Sequence, residues 1–501
     1  MKRMNQTDVV SLRQGAWTAA GLAVVIALLN GCSTGPKYRA PIVKAPAVYK
    51  EAAPEAYKEA DGWKTAQPGD ETLRGKWWEL FDDPQLNALQ ERVDISNQNI
   101  IVAEAQFRQA RALVRANRAD FYPTLTGSPS ITRTHPSPNS STGQNISIST
   151  FTDFSLPFDL SYEVDVWGRV RSNVAASRAN AQATAADLET MRLSMHAELA
   201  SDYFQLRALD AQKRLFGATV AAYEKALQLT INRHKGGVAS GADVAQAETQ
   251  LETTRAQATD IGLQRAQLEH AIALLVGEPA STFSIPPSPS TAPPPQIPVG
   301  LPSELLERRP DVAGAERRVA LANAQIGVAK AAFFPALTLS GSFGFQAAQI
   351  ASWLSWPSHL WSIGPALALT IFDGGRRRAV SDQAMAGYDE SVATYRQTVL
   401  TAFQEVEDNL AALRILAEEA EIQDAAVKAA ERSLSISLNQ YQGGIATYLQ
   451  VISAQTAALS NELTAVEIWQ RRMNASVLLT KALGGGWDLS QLPSAREVTS
   501  K

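Results

Sequence analysis

The stretch HKGGVASGADVAQAE (residues 234–248) places two adjacent glycines, Gly236 and Gly237, inside sequence that otherwise has a helical pattern. A second stretch, YQGGIATYLQVISAQ (residues 441–455), has its own glycine pair at equivalent positions 207 residues later. Glycine readily adopts the left-handed backbone geometry with which many helices end. Each stretch is therefore predicted to be the turn between two helices, and the fixed spacing predicts that the chain contains the same structure twice.

The repeat extends well beyond the glycine pairs. The 207-residue offset holds without a gap from Gly168 to Gly277, and further upstream ADFYPTLTGS (residues 119–128) matches AAFFPALTLSGS (residues 331–342) at an offset of 212. Between the two halves, residues 278–298 are too rich in proline for a helix or a central strand. They are predicted to be a linker on the outside of the structure.

Both repeats show the same order of predicted elements. A helical segment (residues 84–118 and 309–332) is stopped by a proline and is followed by two strands. In the first repeat the second strand alternates strictly, with apolar side chains at Phe154, Leu156, Phe158, Leu160, Tyr162, Val164 and Val166. A weaker alternation in the second repeat involves Ile363, Leu367, Leu369 and Ile371. Period-two alternation predicts strands with one apolar and one polar face.

A very long helix is predicted after the strands. Apolar residues spaced by three or four continue from Leu188 to Leu209, and the same spacing recurs from Tyr395 to Leu413. About 65 residues from Arg169 to the glycine pair would form a rod of roughly 100 Å, at 1.5 Å per residue. A second amphipathic helix then runs back, so each repeat is predicted to end in a long helical hairpin.

The junctions between strand and long helix are the pairs Gly168–Arg169 and Gly375–Arg376, which we expect to form elbows. The acidic side chains before the first elbow, Asp159, Glu163 and Asp165, have two interpretations. They could make an acidic, cation-preferring lumen. Alternatively, Asp165 and its counterpart Asp373 cap the helices that follow, which is the interpretation we favour for those two.

The N-terminus has the pattern of a signal peptide, with basic residues followed by an apolar run over residues 16–29. Fourteen residues are too few to span a bilayer, which needs roughly 20. The run ends in LNGC, and Cys32 is the only cysteine of the chain, so no intrachain disulfide can form. This pattern resembles a bacterial lipoprotein signal, which implies cleavage after residue 31 and covalent lipid on Cys32. Ser33, where the retention rule for the inner membrane would require Asp, points to the outer membrane.

Composition argues against nucleic-acid binding and catalysis. The net charge of -4 provides no basic face for nucleic acid. No phosphate-binding loop, nucleophile elbow, dinucleotide fingerprint or zinc-protease motif is present. The histidines are scattered without ligand spacing, at His135, His196, His234, His270 and His359. We therefore expect neither an enzyme nor a metal or cofactor site.

The predicted strands require other copies of the chain if they enter a membrane. Two strands per repeat make four per chain, and an open sheet edge is not tolerated in lipid. A dimer with eight strands would satisfy this requirement. The alternative is a soluble coiled-coil protein with a small β cap, which would leave the lipoprotein signal and the alternating strand unexplained.

Several motifs together resemble the TolC-like outer-membrane factors, and specifically the NodT-like lipoprotein branch of this outer membrane efflux protein family. They are WWELFDDPQLNAL (77–89), YEVDVWGR (162–169), LPSELLERRPDVAGAERRVALANAQIGVAKAAFFPALTLSGSFG (301–344), FDGGRRR (372–378) and the paired tips. The resemblance implies a mainly α chain with a transmembrane β-barrel. In a homotrimer, a twelve-stranded barrel would continue into a tunnel of twelve helices.

On this resemblance the chain divides into six segments. They are the signal peptide (1–31), a lipid-anchored N-terminal segment with equatorial contacts (32–83), the first repeat (84–277), the equatorial linker (278–302), the second repeat (303–484) and a C-terminal tail (485–501).

The resemblance also implies two functional regions at the hairpin tips. A periplasmic membrane-fusion adaptor would dock on small or apolar residues at Gly237, Val238, Ala239, Ser240, Gly444, Ile445, Ala446 and Thr447. The gate would lie just inside, at Gln450 and Ser453, where relatives commonly have aspartates, with Leu449 as the apolar neighbour. We expect it to be latched by a hydrogen bond between Asp243 and Tyr441, so that Asp243→Ala would raise conductance. The arginine that often joins this latch is replaced by Ala446.

Efflux of small toxic compounds is the function that the resemblance implies. The chain would be the passive exit duct for an inner-membrane pump of the resistance-nodulation-division class. Two alternatives remain open: the duct of a type I protein secretion system, and a lipid-anchored helical scaffold without channel activity.

Overall fold

The computed structural model describes residues 34–43, 46, 49–51, 75–137, 150–288, 292–297 and 305–499. The predicted signal peptide and Cys32 lie outside these described residues.

The described chain is mainly helical with one small antiparallel sheet, which confirms that part of the predicted fold class. Its elements, in chain order, are α1 (Pro84–Ser96), α2 (Gln98–Ala119), β1 (Thr124–Gly127), β2 (Ser130–Thr134), β3 (Phe151–Val164), α3 (Arg169–Lys235), α4 (Gly241–Leu275), α5 (Leu305–Arg308), α6 (Pro310–Ala331), β4 (Ala336–Ala347), β5 (His359–Ala368), α7 (Arg376–Gln442) and α8 (Tyr448–Ala482).

The bounds of equivalent helices differ by the same two offsets, 207 and 212 residues, that the sequence shows. Helices α3 and α7 each have 67 residues, and their bounds differ by 207 at both ends. Helices α4 and α8 each have 35 residues with the same offset, whereas α2 and α6 each have 22 residues at the offset of 212. The two repeats therefore build equivalent helices.

The long helices bury the apolar stripe that the sequence predicted. Helix α3 packs against α2, α4, α6 and α8, and α7 packs against α6 and α8. In both helices the stripe is buried, with Leu199 and Val399 fully inaccessible. At about 1.5 Å per residue, each long helix extends roughly 100 Å. In the described ranges, no helix combines the length and the apolarity that a bilayer-crossing helix needs.

The sheet joins the two repeats in the strand order β1–β3–β4–β5, and β2 also pairs with β3. β1 and β2 are therefore two parts of one strand that is interrupted at residues 128 and 129. Pro129 explains the interruption because proline has no amide proton to donate to the ladder. The sheet is thus four strands wide, although β5 ends at Ala368, before Leu369 and Ile371 of the predicted alternation.

The register sorts side chains onto two faces of the sheet. Phe158 pairs with Phe343, which pairs with Trp361, and these three lie in one apolar row. The Phe158 and Phe343 rings stack with centroids 5.3 Å apart, while Trp361 is 70% exposed. The adjacent row, Asp159 with Ser342, points to the opposite face and is polar. One face of the sheet is thus exposed and apolar, as the alternation predicted.

Asp202 on α3 gives the fold a predicted pH dependence. Burial, with a contribution from Glu198, raises the pKa of Asp202 to about 6. Because the folded-state pKa of Asp202 lies above its ordinary value, the contribution of this carboxyl group to the free energy of unfolding is fully present below the ordinary pKa. That contribution is lost as pH rises through 6. Asn409 occupies the equivalent position in the second repeat. We expect Asp202→Asn to raise the thermal midpoint at pH 7.5, and the difference from wild type to disappear near pH 3.5.

Candidate functional site

The two hairpin tips have the same backbone geometry. Gly237 and Gly444 are left-handed, with φ of 76° and 78°, whereas the preceding glycine of each pair remains right-handed. The Val238 amide donates to the Arg233 carbonyl at 2.9 Å, and the equivalent bond in the second repeat is also 2.9 Å. This six-to-one bond and the left-handed residue define a Schellman motif. The glycine pairs therefore end both long helices, and the second glycine of each pair supplies the left-handed geometry.

The neighbouring glycines of one tip predict opposite effects of the same substitution. A Cβ on Gly236 would meet only carbonyls at 3.5 Å and the backbone there is right-handed, so Gly236→Ala should be neutral or stabilise by about 0.4–1 kcal/mol. Gly237 has open space but a left-handed backbone, so Gly237→Ala should cost about 1–2 kcal/mol. Thermal unfolding of both variants would measure the difference, and equal midpoints would contradict it.

Each returning helix begins with a reciprocal capping box. The Ser240 amide donates to the Asp243 carboxylate at 2.9 Å, and the Asp243 amide donates to Ser240 Oγ at 3.1 Å. Thr447 and Gln450 form the same arrangement at the start of α8. These contacts satisfy amides that a helix N-terminus otherwise leaves unpaired. Asp243 and Gln450, which the sequence assigned to the gate, are thus structural caps in this chain.

The predicted latch between Asp243 and Tyr441 is not formed within the chain, and this correction has a physical reason. The Asp243 carboxylate is engaged by Ser240, while the Tyr441 hydroxyl lies 3.3 Å from Thr230 Oγ1. Tyr441 is buried and packs on Tyr448 with ring centroids 5.3 Å apart. Burial, followed by the neighbouring Tyr441, raises the pKa of Tyr448 to about 12. The Tyr448 hydroxyl is therefore neutral at physiological pH.

Arg233 joins the two tips instead, and sequence reasoning missed it. Its Nη1 donates to the Tyr441 carbonyl at 2.9 Å and to the Gln442 carbonyl at 3.2 Å. Its guanidinium also lies over the Tyr441 ring, 4.7 Å from the centroid. Gln440 stands at the equivalent position of the second repeat. This departure from the repeat, an arginine in one tip only, is the signal that would have identified it.

The remaining predicted tip and gate residues lie at the surface of the chain. Val238 is 68% exposed, Ile445 is 83% exposed and Leu449 is 59% exposed. Ser453 is exposed too, and its hydroxyl donates to the Leu449 carbonyl at 3.0 Å. The other docking positions are exposed or partly exposed, at Gly237, Ala239, Ser240, Gly444, Ala446 and Thr447. The tips therefore present small and apolar side chains together at the surface of the chain.

The two elbows are built alike. Gly168 and Gly375 precede α3 and α7 with φ of 81° and 91°. Near the start of α3, the Asp165 carboxylate accepts hydrogen bonds from the Val170 amide at 3.0 Å and from the Arg171 amide at 2.9 Å. Asp373 accepts the amide of Arg377 at 3.1 Å in the equivalent place. The structure therefore confirms that Asp165 and Asp373 cap the helices that follow them.

Contacts with arginines neutralise part of the negative charge that was predicted for an acidic lumen. Glu163 forms two hydrogen bonds of 2.7 Å with Arg169, and Asp165 pairs with Arg171. Of the three acidic residues, Asp159 alone makes no ion pair within the described chain, so the carboxylate cluster carries less net charge than the sequence indicated. No group of three His, Cys, Asp or Glu among the described residues is arranged to hold a metal ion.

Known proteins resemble this chain over both repeats. The model of the family described as "Outer membrane efflux protein" matches residues 89–278 and 301–485, which are the two repeats. The chain is 33% identical to the pyoverdine export outer membrane protein OpmQ of Pseudomonas aeruginosa over 84% of this chain and 90% of that protein. It is 32% identical to the toluene efflux pump outer membrane protein TtgI of Pseudomonas putida, over 93% of this chain and 97% of that protein.

Solved structures show the same fold. The open state of the MtrE outer membrane channel of Neisseria gonorrhoeae matches with a TM-score of 0.77 and 26% identity. The match covers 91% of this chain and 99% of that one. Essentially the whole channel subunit therefore has a counterpart here.

Proposed function

This chain belongs to the outer membrane efflux protein family, and from that premise we propose how it works as the outer-membrane channel of a tripartite efflux system. Small toxic compounds would leave through it passively, without chemistry on the cargo. The family is a transport component and not an enzyme family. The relatives named for pyoverdine and for toluene are about equally similar to this chain. Similarity therefore favours a common exit duct and not one particular cargo.

The observation that carries this proposal is the four-strand-wide sheet with two open edges. Within the described residues, β5 and the interrupted strand β1–β2 each pair on one side only. Such edges, next to an exposed apolar face, are stable in lipid only if copies of the chain close the sheet. A homotrimer would give twelve strands, with β5 of one copy beside β1–β2 of the next. The same assembly would bring the long helices together as a tunnel.

The partners follow from the position of the tips, at the opposite ends of the long hairpins from the sheet. We propose that a periplasmic membrane-fusion adaptor docks on the exposed tip residues, among them Val238 and Ile445. The inner-membrane pump, of the resistance-nodulation-division class, would deliver cargo through that adaptor. Small side chains at the tips support the proposal because another helical hairpin can approach them closely.

A covalent lipid on Cys32 is a separate proposal, supported by the sequence of the N-terminus alone. Mass spectrometry of the purified protein would test it. We expect the wild-type protein to start at residue 32 with an attached acyl mass, and Cys32→Ser to lack it. An unmodified cysteine in the wild-type protein would contradict the proposal.

The channel function is tested by measuring the oligomeric mass of the detergent-purified protein together with its conductance in planar bilayers. Small, rarely open channels formed by a trimer are the expected result. A monomer without conductance would contradict closure of the sheet and would favour the lipid-anchored scaffold.

A further inference from the structure

The connection between β4 and β5, residues 348–358, exposes large apolar side chains. Ile350 is 68% exposed, Leu354 is 66% exposed and Trp356 is 77% exposed. Residues 331–372, which include both strands and this connection, contain no Asp, Glu, Lys or Arg. Exposed apolar side chains without charges around them mark a surface that contacts a membrane or another protein. We call residues 348–358 the aromatic loop.

Two tryptophans of the aromatic loop pack on the apolar face of the sheet. The centroid of the Trp353 ring lies 5.7 Å from that of the Phe154 ring. Phe154 is four residues from Phe158 on β3, so its side chain points to the apolar face. Trp356 stacks on His359 with ring centroids 4.7 Å apart, and His359 points to the same face because it lies two residues before the tryptophan of the Phe158 row. The loop therefore continues the apolar face and does not turn toward the polar one.

The height of the apolar face places the aromatic loop at the edge of a membrane. Phe154 and Val164 mark the two ends of this face on β3 and are ten residues apart. At about 3.3 Å per residue, this distance is about 33 Å along the strand. A strand tilted by about 45° would then cross about 24 Å, which is close to the apolar band of roughly 25 Å in outer-membrane barrels. The aromatic loop would lie at the outer end of this band, where tryptophan is enriched.

Hydrogen bonds within the aromatic loop satisfy polar groups that lipid could not. The Ser352 carbonyl accepts hydrogen bonds from the Ser355 amide at 3.1 Å, Ser355 Oγ at 2.6 Å and Ser358 Oγ at 2.8 Å. His359 Nδ1 donates to the Trp356 carbonyl. Backbone groups without partners are costly in lipid, and irregular loops do not occur in the centre of the apolar region. A loop with these internal bonds therefore fits the boundary of the apolar band.

The corresponding connection of the first repeat, residues 135–150, has a different composition. It is rich in Ser, Thr, Asn and Pro and contains no Phe, Trp, Tyr or Leu. Residues of these polar types are mostly exposed to water. The repeat itself therefore does not impose an apolar surface at this end of the sheet, and the aromatic loop needs its own explanation.

We propose that the aromatic loop lies on the outer leaflet of the outer membrane, with Leu354 and Trp356 at the boundary between acyl chains and head groups. The inference rests on the proposed function, since it takes the sheet to be part of a membrane barrel. The loop has no Lys or Arg for lipid phosphates, so it contacts the acyl chains. Anchored in this way, it holds β4 and β5 at a fixed depth and stays beside the channel mouth and not over it.

A fluorescent label on the aromatic loop tests the proposal in full-length protein reconstituted into phosphatidylcholine vesicles. Leu354→Cys would be labelled with bimane, and Thr134→Cys at the end of β2 is the matched control. Thr134 is exposed and pairs with Phe151, which is three residues from Phe154 and so points to the polar face. Wild-type protein taken through the same labelling measures any background from Cys32. Lipids with a nitroxide on the acyl chain quench a label in the acyl region, whereas iodide quenches a label in water.

We expect nitroxide lipids to quench the Leu354→Cys label, and iodide to quench it about threefold less than the Thr134→Cys label, because ions are excluded from the acyl region. Equal iodide quenching of both labels would overturn the inference and place the loop in water, over the mouth or against another protein. Ile350→Cys repeats the measurement if Leu354→Cys does not fold.

Conductance of the unlabelled wild-type protein separates this inference from the proposed function. Normal channels together with a water-exposed aromatic loop would overturn the inference and leave the channel function standing. No channels, together with no quenching of the Leu354→Cys label by nitroxide lipids, would place the sheet outside the membrane and contradict both. Normal channels together with nitroxide quenching of the loop would support both.

Discussion

Replacing Asp210 with alanine is expected to lower the free energy of unfolding by about 3–5 kcal/mol, the usual cost of removing one partner from a buried ion pair. The Asp210 carboxylate is 3.0 Å from Arg207 Nη1 and 2.7 Å from Arg265 Nε. It also accepts the Ser288 amide at 3.0 Å. Arg207 is 1% exposed and Asp210 is 4% exposed. The alanine would leave buried positive charge without its counter-ion.

This network fixes the Pro-rich linker to the first hairpin. Arg265 Nη2 donates to the Ile285 carbonyl at 2.6 Å, and Arg207 Nη1 donates to the Pro286 carbonyl at 3.0 Å. A proline-rich segment has few amides with which to bond its neighbours, so the arginines from the helices supply donors to its carbonyls. We therefore expect Asp210→Ala to loosen the linker as well as to destabilise the helices.

The second repeat supplies the matched control. Arg414, the repeat equivalent of Arg207, pairs with Glu51 at 2.7 Å, and the two side chains are 43% and 23% exposed. Arg414→Ala should therefore cost only about 0–1 kcal/mol, as exposed pairs usually do. Arg207→Ala should cost several times more. Unfolding in guanidinium chloride, followed by circular dichroism at fixed protein concentration, would compare them, and equal losses would contradict the argument from burial.

The sequence predicted the long elements of this fold well because each of them is repeated. The glycine pairs, 207 residues apart, predicted where both long helices end, whereas the predicted helical segment over residues 84–118 is divided at Asn97 into α1 and α2. The alternation from Phe154 to Val164 predicted β3 and its two faces because successive side chains of a strand point to opposite faces of the sheet. The break between β1 and β2 was missed although Pro129 marks it.

The candidate site was less predictable, because its decisive contacts join residues far apart in the chain. Arg233 meets the Tyr441 carbonyl across 208 positions, and no local pattern reports such a contact. The assignment of Asp243 to a latch was wrong within the chain for a local reason. Ser240 and Asp243 have the spacing of a capping box, and that pattern was available in the sequence.

Replacing Arg233 with alanine is expected to raise the open fraction of the channel by about 10–100-fold, if opening separates the two tips. That range corresponds to the loss of charge-assisted hydrogen bonds. Arg233 contributes two such bonds to carbonyls at the end of α7 and a cation–π contact with Tyr441. These contacts join the first hairpin to the second within one chain. Arg233 therefore holds the two tips together within one chain and needs no contact from a neighbouring subunit to do so.

Single-channel recording in planar bilayers would measure this effect, with Gln440→Ala as the control at the equivalent position of the second tip. Gln440 is exposed, so its removal should leave the open fraction unchanged. Arg233→Lys should give an intermediate value, because lysine keeps the charge but lacks the planar fork that reaches both carbonyls. An open fraction in Arg233→Ala equal to that of Gln440→Ala would show that the tie between the tips does not hold the channel closed. The gate would then depend on the contacts of Leu449 with neighbouring subunits.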